Sequence, residues 1–177
     1  MTVLSAQSIL KRCVTTDFKT GEMIRPFSEK GIQNGMSYGL SQCGYDIRVK
    51  LPDDYPHYVD ESDNHSIMLY SGTFILVSSV ERIKMPHDLV AIVHDKSSWA
   101  RKGLAVQNTV LEPGWEGWIT LELTNHSDRT IIIHQGDPIA QLLFHKLDEP
   151  TDIPYNGKYQ NQEDRPVEAI HETVNSI

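Results

Sequence analysis

Between Lys96 and Leu123 the chain reads KSSWARKGLAVQNTVLEPGWEGWITLEL, and this stretch concentrates groups that can do chemistry. Ser97, Ser98 and Arg101 offer two hydroxyls and a planar cationic fork, a set that suits phosphate oxygens. Lys96 adds a second cation. Two carboxylates, Glu112 and Glu122, stand ten residues apart around the turn Pro113-Gly114-Trp115. Buried charges need partners, so such a mixture is poor core material. A pocket for a small, anionic, hydrogen-bonding ligand would use it.

The elements around these residues decide what each can do. The run Trp118–Thr124 alternates, which predicts a strand with Ile119, Leu121 and Leu123 on one face and Trp118, Thr120, Glu122 and Thr124 on the other. Glu122 is then held on a rigid element beside a bulky aromatic residue. That setting can raise a carboxyl pKa and fit the group for proton transfer near neutral pH. By itself the same pattern also describes a solvent-facing glutamate. Glu112, before its turn, could accept a ligand hydroxyl or hold a metal through water, or could be a solvated turn residue. Ser97, Ser98 and Arg101 are equally compatible with a polar loop carrying a helical turn.

Other short apolar runs recur at Ile67–Tyr70, Phe74–Val77, Leu89–His94, Leu104–Gln107, Thr130–His134 and Ile139–His145, with Tyr45–Leu51 alternating upstream. Turn signals separate them, a pattern that predicts an all-β barrel or double-sheet roll. Ser5 can cap a short helix reaching about Cys13. The segment Thr15–Ser41 reads as mostly loop and Pro52–His65 as polar and turn-rich, and the polar stretch from about Asp148 reads as a surface tail. With 177 residues, no internal repeat and no linker, one domain spanning residues 1–177 is expected.

Composition narrows the class further. A net charge of −8 argues against a nucleic-acid-coating surface but permits a small phosphorylated ligand. Cys13 and Cys43 form no Cys-x-x-Cys pair and read as two reduced, buried thiols. No apolar run approaches the ~18 residues of a membrane span. No signal-peptide pattern opens the chain, so a cytoplasmic protein without a membrane partner is expected. Zinc nucleobase deaminases use His-x-Glu and Pro-Cys-x-x-Cys to hold their metal. Neither motif occurs here, and neither phosphate-loop nor dinucleotide-binding glycine patterns are present.

Several ordered blocks resemble the dCTP deaminase branch of the dUTPase-like trimer superfamily. Lys96-Ser-Ser-Trp-Ala-Arg101 is similar to that family's Arg-Ser-Ser-Leu-Ala-Arg phosphate motif. Leu111-Glu-Pro-Gly-Trp-Glu-Gly117 resembles its Ile-Asp-Pro-Gly-Trp-Ser-Gly turn. Thr120-Leu-Glu122 matches the strand bearing its catalytic glutamate, Gly44-Tyr-Asp-Ile-Arg48 its early strand, and Lys158-Tyr-Gln-Asn-Gln162 its closing tail.

The resemblance implies a homotrimer of distorted β-barrels of the dUTPase-like, jelly-roll type, with sites between subunits and Mg²⁺ on a triphosphate. It implies zinc-independent deamination of dCTP to dUTP and ammonia, with Glu122 as general base and proton shuttle. Ser97 would hold the attacking water, while Lys96, Ser98, Trp99, Ala100 and Arg101 would bind or shape the phosphate site, Arg101 with a catalytic part. Asn108, Thr120 and Leu121 would also bind substrate. Glu112 and Trp115 would lie near the sugar. Tyr155, Lys158 and Gln162 would come from a tail closing over substrate from about residue 148. A dUTP diphosphatase, or a bifunctional enzyme yielding dUMP and pyrophosphate, is the nearest alternative; a non-catalytic nucleotide-responsive regulator is another. Two features set the chain apart from the family pattern. It is two residues shorter around Gln107–Val110, and Glu112 stands where the family has Asp.

Overall fold

A computed structural model describes residues 2–14, 23–53, 58–60 and 63–171. In chain order its elements are β1 (Thr2–Val3), α1 (Ala6–Cys13), β2 (Ile24–Arg25), β3 (Gly31–Gln33), β4 (Met36–Leu40), β5 (Tyr45–Lys50), β6 (Tyr58–Asp60) and β7 (Asp63–Leu69). There follow β8 (Phe74–Lys84), β9 (Leu89–Asp95), α2 (Ser97–Ala100), β10 (Leu104–Val106), β11 (Val110–Leu111), β12 (Glu116–Asn125), β13 (Ile131–His134) and β14 (Pro138–Lys146). The architecture is the expected all-β one with a short N-terminal helix.

The main sheet curls through the order β10-β12-β8-β5-β14-β9-β11, and a smaller sheet runs β13-β7-β6. Alternation dictates its inner face. Leu121 and Leu123 of β12, Val77 of β8, Ile47 and Val49 of β5, Leu142 and Phe144 of β14 and Leu89 and Val93 of β9 are all fully buried. Each such aliphatic or aromatic side chain contributes roughly 1.5–3 kcal/mol when removed from water. The joint between β5 and β8 is also polar. Arg48 donates its backbone N–H to Glu81 Oε2 at 2.8 Å and its Nε–H to Oε1 at 2.7 Å. The Arg48 guanidinium lies 4.6 Å from the centre of the Tyr38 ring.

Three expectations are corrected. Strands β2, β3 and β4 lie in the glycine- and serine-rich segment read as loop, because hairpin pairing such as Gln33↔Met36 needs no hydrophobic alternation. Likewise β6 and the first residues of β7 fall within the segment read as turns, paired at Asp60↔Asp63. Cys13 is buried, but Cys43 is exposed, since it lies in the turn between β4 and β5 and off the core face. Helix α1 does start after Ser5, although the Ser5 side chain makes no capping hydrogen bond. No helix among the described residues is long and apolar enough to cross a membrane.

Candidate active site

Strand β12 carries Glu122 into a cleft of about 570 Å³. Its partner in the register is Leu76 of β8, which lines the same cleft with Phe74. The far side comes from Thr109, Val110 and Leu111, and Trp115 and Thr120 complete the floor. Glu122 Oε2 is buried and has no hydrogen-bond partner among the described residues. Burial pushes the carboxyl above the ordinary glutamate range, opposed only by a hydrogen bond to its own backbone. A carboxyl that keeps its proton to higher pH, and has a lone pair left over, can take up and return a proton near neutrality.

The backbone behind this carboxyl is fixed. Gln107 donates its N–H to the Glu122 carbonyl at 3.0 Å, and Val93 donates to the Thr109 carbonyl at 3.0 Å. The segment Gln107–Thr109 is thereby pinned at both ends, to the strand bearing Glu122 and to β9.

A strap of residues 154–170 crosses the cleft from the same chain. Tyr155 N–H donates to the Pro113 carbonyl at 2.8 Å. Trp115 Nε1 donates to the Tyr159 carbonyl at 2.8 Å, and Gln160 Nε2 donates to the Gly114 carbonyl at 2.9 Å. Gly117 then pairs in parallel with Gln162. A Cβ at Gly117 would meet Gln162 N at 2.7 Å, and its φ of +151° is itself unfavourable for a side chain, so glycine permits this close approach. Thr120 Oγ1 accepts from Gln162 Nε2 at 3.2 Å and from Val167 N–H at 3.0 Å. Tyr159, Gln162, Val167, Glu168 and Ala169 become one wall of the cleft.

The Lys96–Arg101 turn occupies a different place. Ser97 and Arg101 are exposed, Ser98 is half-buried, and Arg101 Nη1 donates to the Ser97 carbonyl at 3.3 Å. Ala100 is exposed. Trp99 is an anchor, buried, with Nε1 donating to the Pro138 carbonyl at 2.7 Å and the Lys102 ammonium 4.4 Å over its ring. Lys96 is buried as well and donates Nζ–H to Asp46 Oδ2 at 2.6 Å, while Asp46 Oδ1 accepts from Gln141. Its charge is thus engaged inside the sheet. Trp99 to Gly103 line a second cleft with Ser127 to Ile132, and the two clefts share no lining residue.

Of the residues singled out from sequence, the structure brings together Trp115, Thr120, Glu122 and Gln162. Tyr155 packs against the core at the root of the strap. Leu121 is fully buried on the opposite face of β12, so only its backbone is near the cleft. Asn108, Glu112 and Lys158 are exposed. Leu76, Thr109, Tyr159 and Val167 were not anticipated. Leu76 could have been found only from strand register, and Val167 only from the docked strap.

A family model described as dCTP deaminase-like matches residues 3–147. The dCTP deaminase of Acidobacterium capsulatum is 37% identical over 162 residues, covering 80% of this chain and 87% of that one. The dCTP deaminase of Campylobacter lari is 40% identical over 159 residues, covering 79% of this chain and 86% of that one. Among solved structures, 2′-deoxycytidine 5′-triphosphate deaminase from Agrobacterium tumefaciens superposes with a TM-score of 0.57 at 17% identity, over 80% of this chain and 47% of that one. The EIAV dUTPase gives 0.51 at 19%, over 77% and 98%. At those identities the two structures speak to the fold alone. Family pattern and relatives together are decisive on descent: the chain belongs to the dCTP deaminase-like family.

Proposed function

We propose that this protein hydrolyses dCTP to dUTP and ammonia, with Glu122 moving the protons. The observation that carries the reading is the Glu122 carboxyl, with a raised pKa and one oxygen that has no hydrogen-bond partner among the described residues, facing a cleft in a chain whose relatives are named dCTP deaminases. Water attacks C4 of cytosine as Glu122 takes its proton. The carboxyl passes that proton to the ring nitrogen, takes up the remaining proton of the new C4 hydroxyl and gives it to the amino group; the C4–N bond breaks, the C4 carbonyl forms and ammonia leaves. One carboxyl in this position performs both transfers, and the chemistry needs no zinc. Fixed hydrogen bonds to the tetrahedral centre supply further stabilisation.

The second half of the site is the Lys96–Arg101 turn. Because none of its residues lines the Glu122 cleft, and Trp99 to Arg101 open on a separate one, the reading assigns Ser97, Ser98 and Arg101 to the site of a neighbouring copy, with a homotrimer as the assembly. Light scattering on the purified protein should give three times the chain mass; a monomer that turns over dCTP would overturn this. Residues 1–177 act in this reading as one domain whose strap, from about residue 148, covers substrate.

Among the described residues no group of three His, Cys, Asp or Glu side chains could hold a metal. In this reading a Mg²⁺ ion is carried by the triphosphate oxygens, with exposed Glu112 as a carboxylate able to take one of its waters. The ion would neutralise phosphate charge on binding.

Incubation with each deoxynucleotide and Mg²⁺, with products identified by mass, tests the whole reading. We expect dUTP and ammonia from dCTP. Glu112 is one methylene longer than the family's Asp, which should place a water for attack on the phosphate chain poorly. Dominant dUMP and pyrophosphate would establish the bifunctional alternative, hydrolysis of dUTP alone the diphosphatase, and binding without turnover the regulator.

A further inference from the structure

The first limb of the strap is held by backbone-rich bonding to the turn Pro113–Gly117. Its return limb, residues 163–170, is held differently. Val167 N–H donates to Thr120 Oγ1, and Ile170 N–H donates to Tyr159 Oη at 3.1 Å within the strap itself; the ionic attachment to the sheet is Lys50, the last residue of β5. Lys50 Nζ donates to Asp164 Oδ2 at 2.6 Å and to the Asp164 carbonyl at 3.2 Å. This limb separates the Glu122 cleft from a neighbouring one of about 650 Å³, and Leu76, Val167 and Glu168 line both. Lys50 and Ser78 line only the neighbour, and Lys50 pairs with Ser78 across the β5–β8 joint. Where the return limb lies therefore sets where the Glu122 cleft ends.

We propose that Lys50 and Asp164 form an ionic latch that positions the return limb as the end wall of the Glu122 cleft. The pair is partly exposed, with side chains 32% and 45% accessible, so its strength is that of a surface ion pair reinforced by a second bond to the same residue. It is consequently sensitive to salt, unlike the backbone bonds of the first limb. Lys50 touches no reacting group in this scheme. It is a positioning residue whose influence on dCTP rests on the deaminase reading, whereas its influence on the strap does not.

Hydrogen exchange followed by mass spectrometry on the full chain without nucleotide tests the latch directly. In Lys50→Met, which keeps the aliphatic stem, peptides covering residues 163–170 should exchange about two- to fivefold faster at low salt. Peptides covering 155–162 should be unchanged. Asp164→Asn should have a smaller effect, since the carbonyl bond to Lys50 remains. In roughly 1 M salt, where the screening length is about 3 Å, the wild type should approach Lys50→Met. The exchanged pair Lys50→Asp with Asp164→Lys should recover protection. Equal exchange in wild type and Lys50→Met, or no recovery in the exchanged pair, would overturn the latch. With dCTP, Lys50→Met should raise KM by a similar factor and leave kcat nearly unchanged. If the wild type fails to turn over dCTP, the substrate reading falls and the exchange result still decides the latch.

Discussion

Glu81 on β8 and Glu122 on β12 lie on adjacent strands, and burial pushes both carboxyls above the ordinary glutamate range. Their surroundings otherwise differ. Glu81 is fully buried, and both its oxygens accept from Arg48, whose hydrogen bonds and charge pull its pKa back down without outweighing burial. Glu122 is only half-buried, yet one oxygen has no partner among the described residues. The fold satisfies the deeper carboxylate and leaves the shallower one unsatisfied at a cleft. Neighbouring strands therefore carry one carboxylate built for architecture and one held in reserve for a ligand.

Removing each carboxylate should therefore fail in a different way. Glu81→Ala strands the Arg48 guanidinium beside a buried gap, and breaking such a pair costs about 3–5 kcal/mol. Denaturant unfolding should show that loss, and whatever folded protein remains should keep its kcat. An unchanged midpoint would mean that Arg48 finds solvent or another partner. Glu122→Gln should instead fold normally and lose at least about 100-fold in kcat, the lower range for removing a general acid–base group. Near wild-type turnover at saturating dCTP would remove Glu122 from the chemistry.

The exposed cation gives a smaller effect. Arg101→Ala should weaken triphosphate binding by about tenfold, within the range for a charge-assisted hydrogen bond. Lys96→Ala should behave differently, because Lys96 is engaged with Asp46 inside the sheet. Its loss should appear first as lowered stability. Should Lys96→Ala weaken binding as Arg101→Ala does with stability intact, the buried pair would be a nucleotide contact after all.

These contrasts show what was legible in the residues. The face of β12 was legible from Thr120 onward because period-two alternation is local: Leu121 and Leu123 are buried, and Glu122 lies on the other side; the register shift between Trp118 and Thr120 was not, and Ile119, expected on the opposite face, lines the Glu122 cleft where Trp118 does not. The architecture was legible for the same reason, from recurring apolar runs. Lys96 was not, since its partner Asp46 is 50 residues away and a cation beside two serines looks like phosphate chemistry. The strap was polar and aperiodic. Its docking depends on single long-range bonds, such as Gln162 to Thr120 across 42 residues, which leave no periodic trace. Strands β2 to β4 were hidden because their pairing is made by backbone groups in a glycine-rich segment.

The smallest expected effect has the most informative sign. Burial holds the Glu122 carboxyl above its ordinary value of 4.5 in the folded chain. Between the unfolded and folded values, the folded state retains a proton that the unfolded state has released. Stability from this group is therefore whole below the unfolded value and lost as pH rises through the folded one. Glutamine resembles the protonated acid and has no charge to desolvate. Without nucleotide, Glu122→Gln should melt slightly above wild type at pH 8, and the gap should close as pH falls toward 4. A residue kept for function at some expense of stability behaves this way. Glu122→Gln melting below wild type at pH 8 would mean that the ionised carboxylate is satisfied in the fold, and the distinction from Glu81 would collapse.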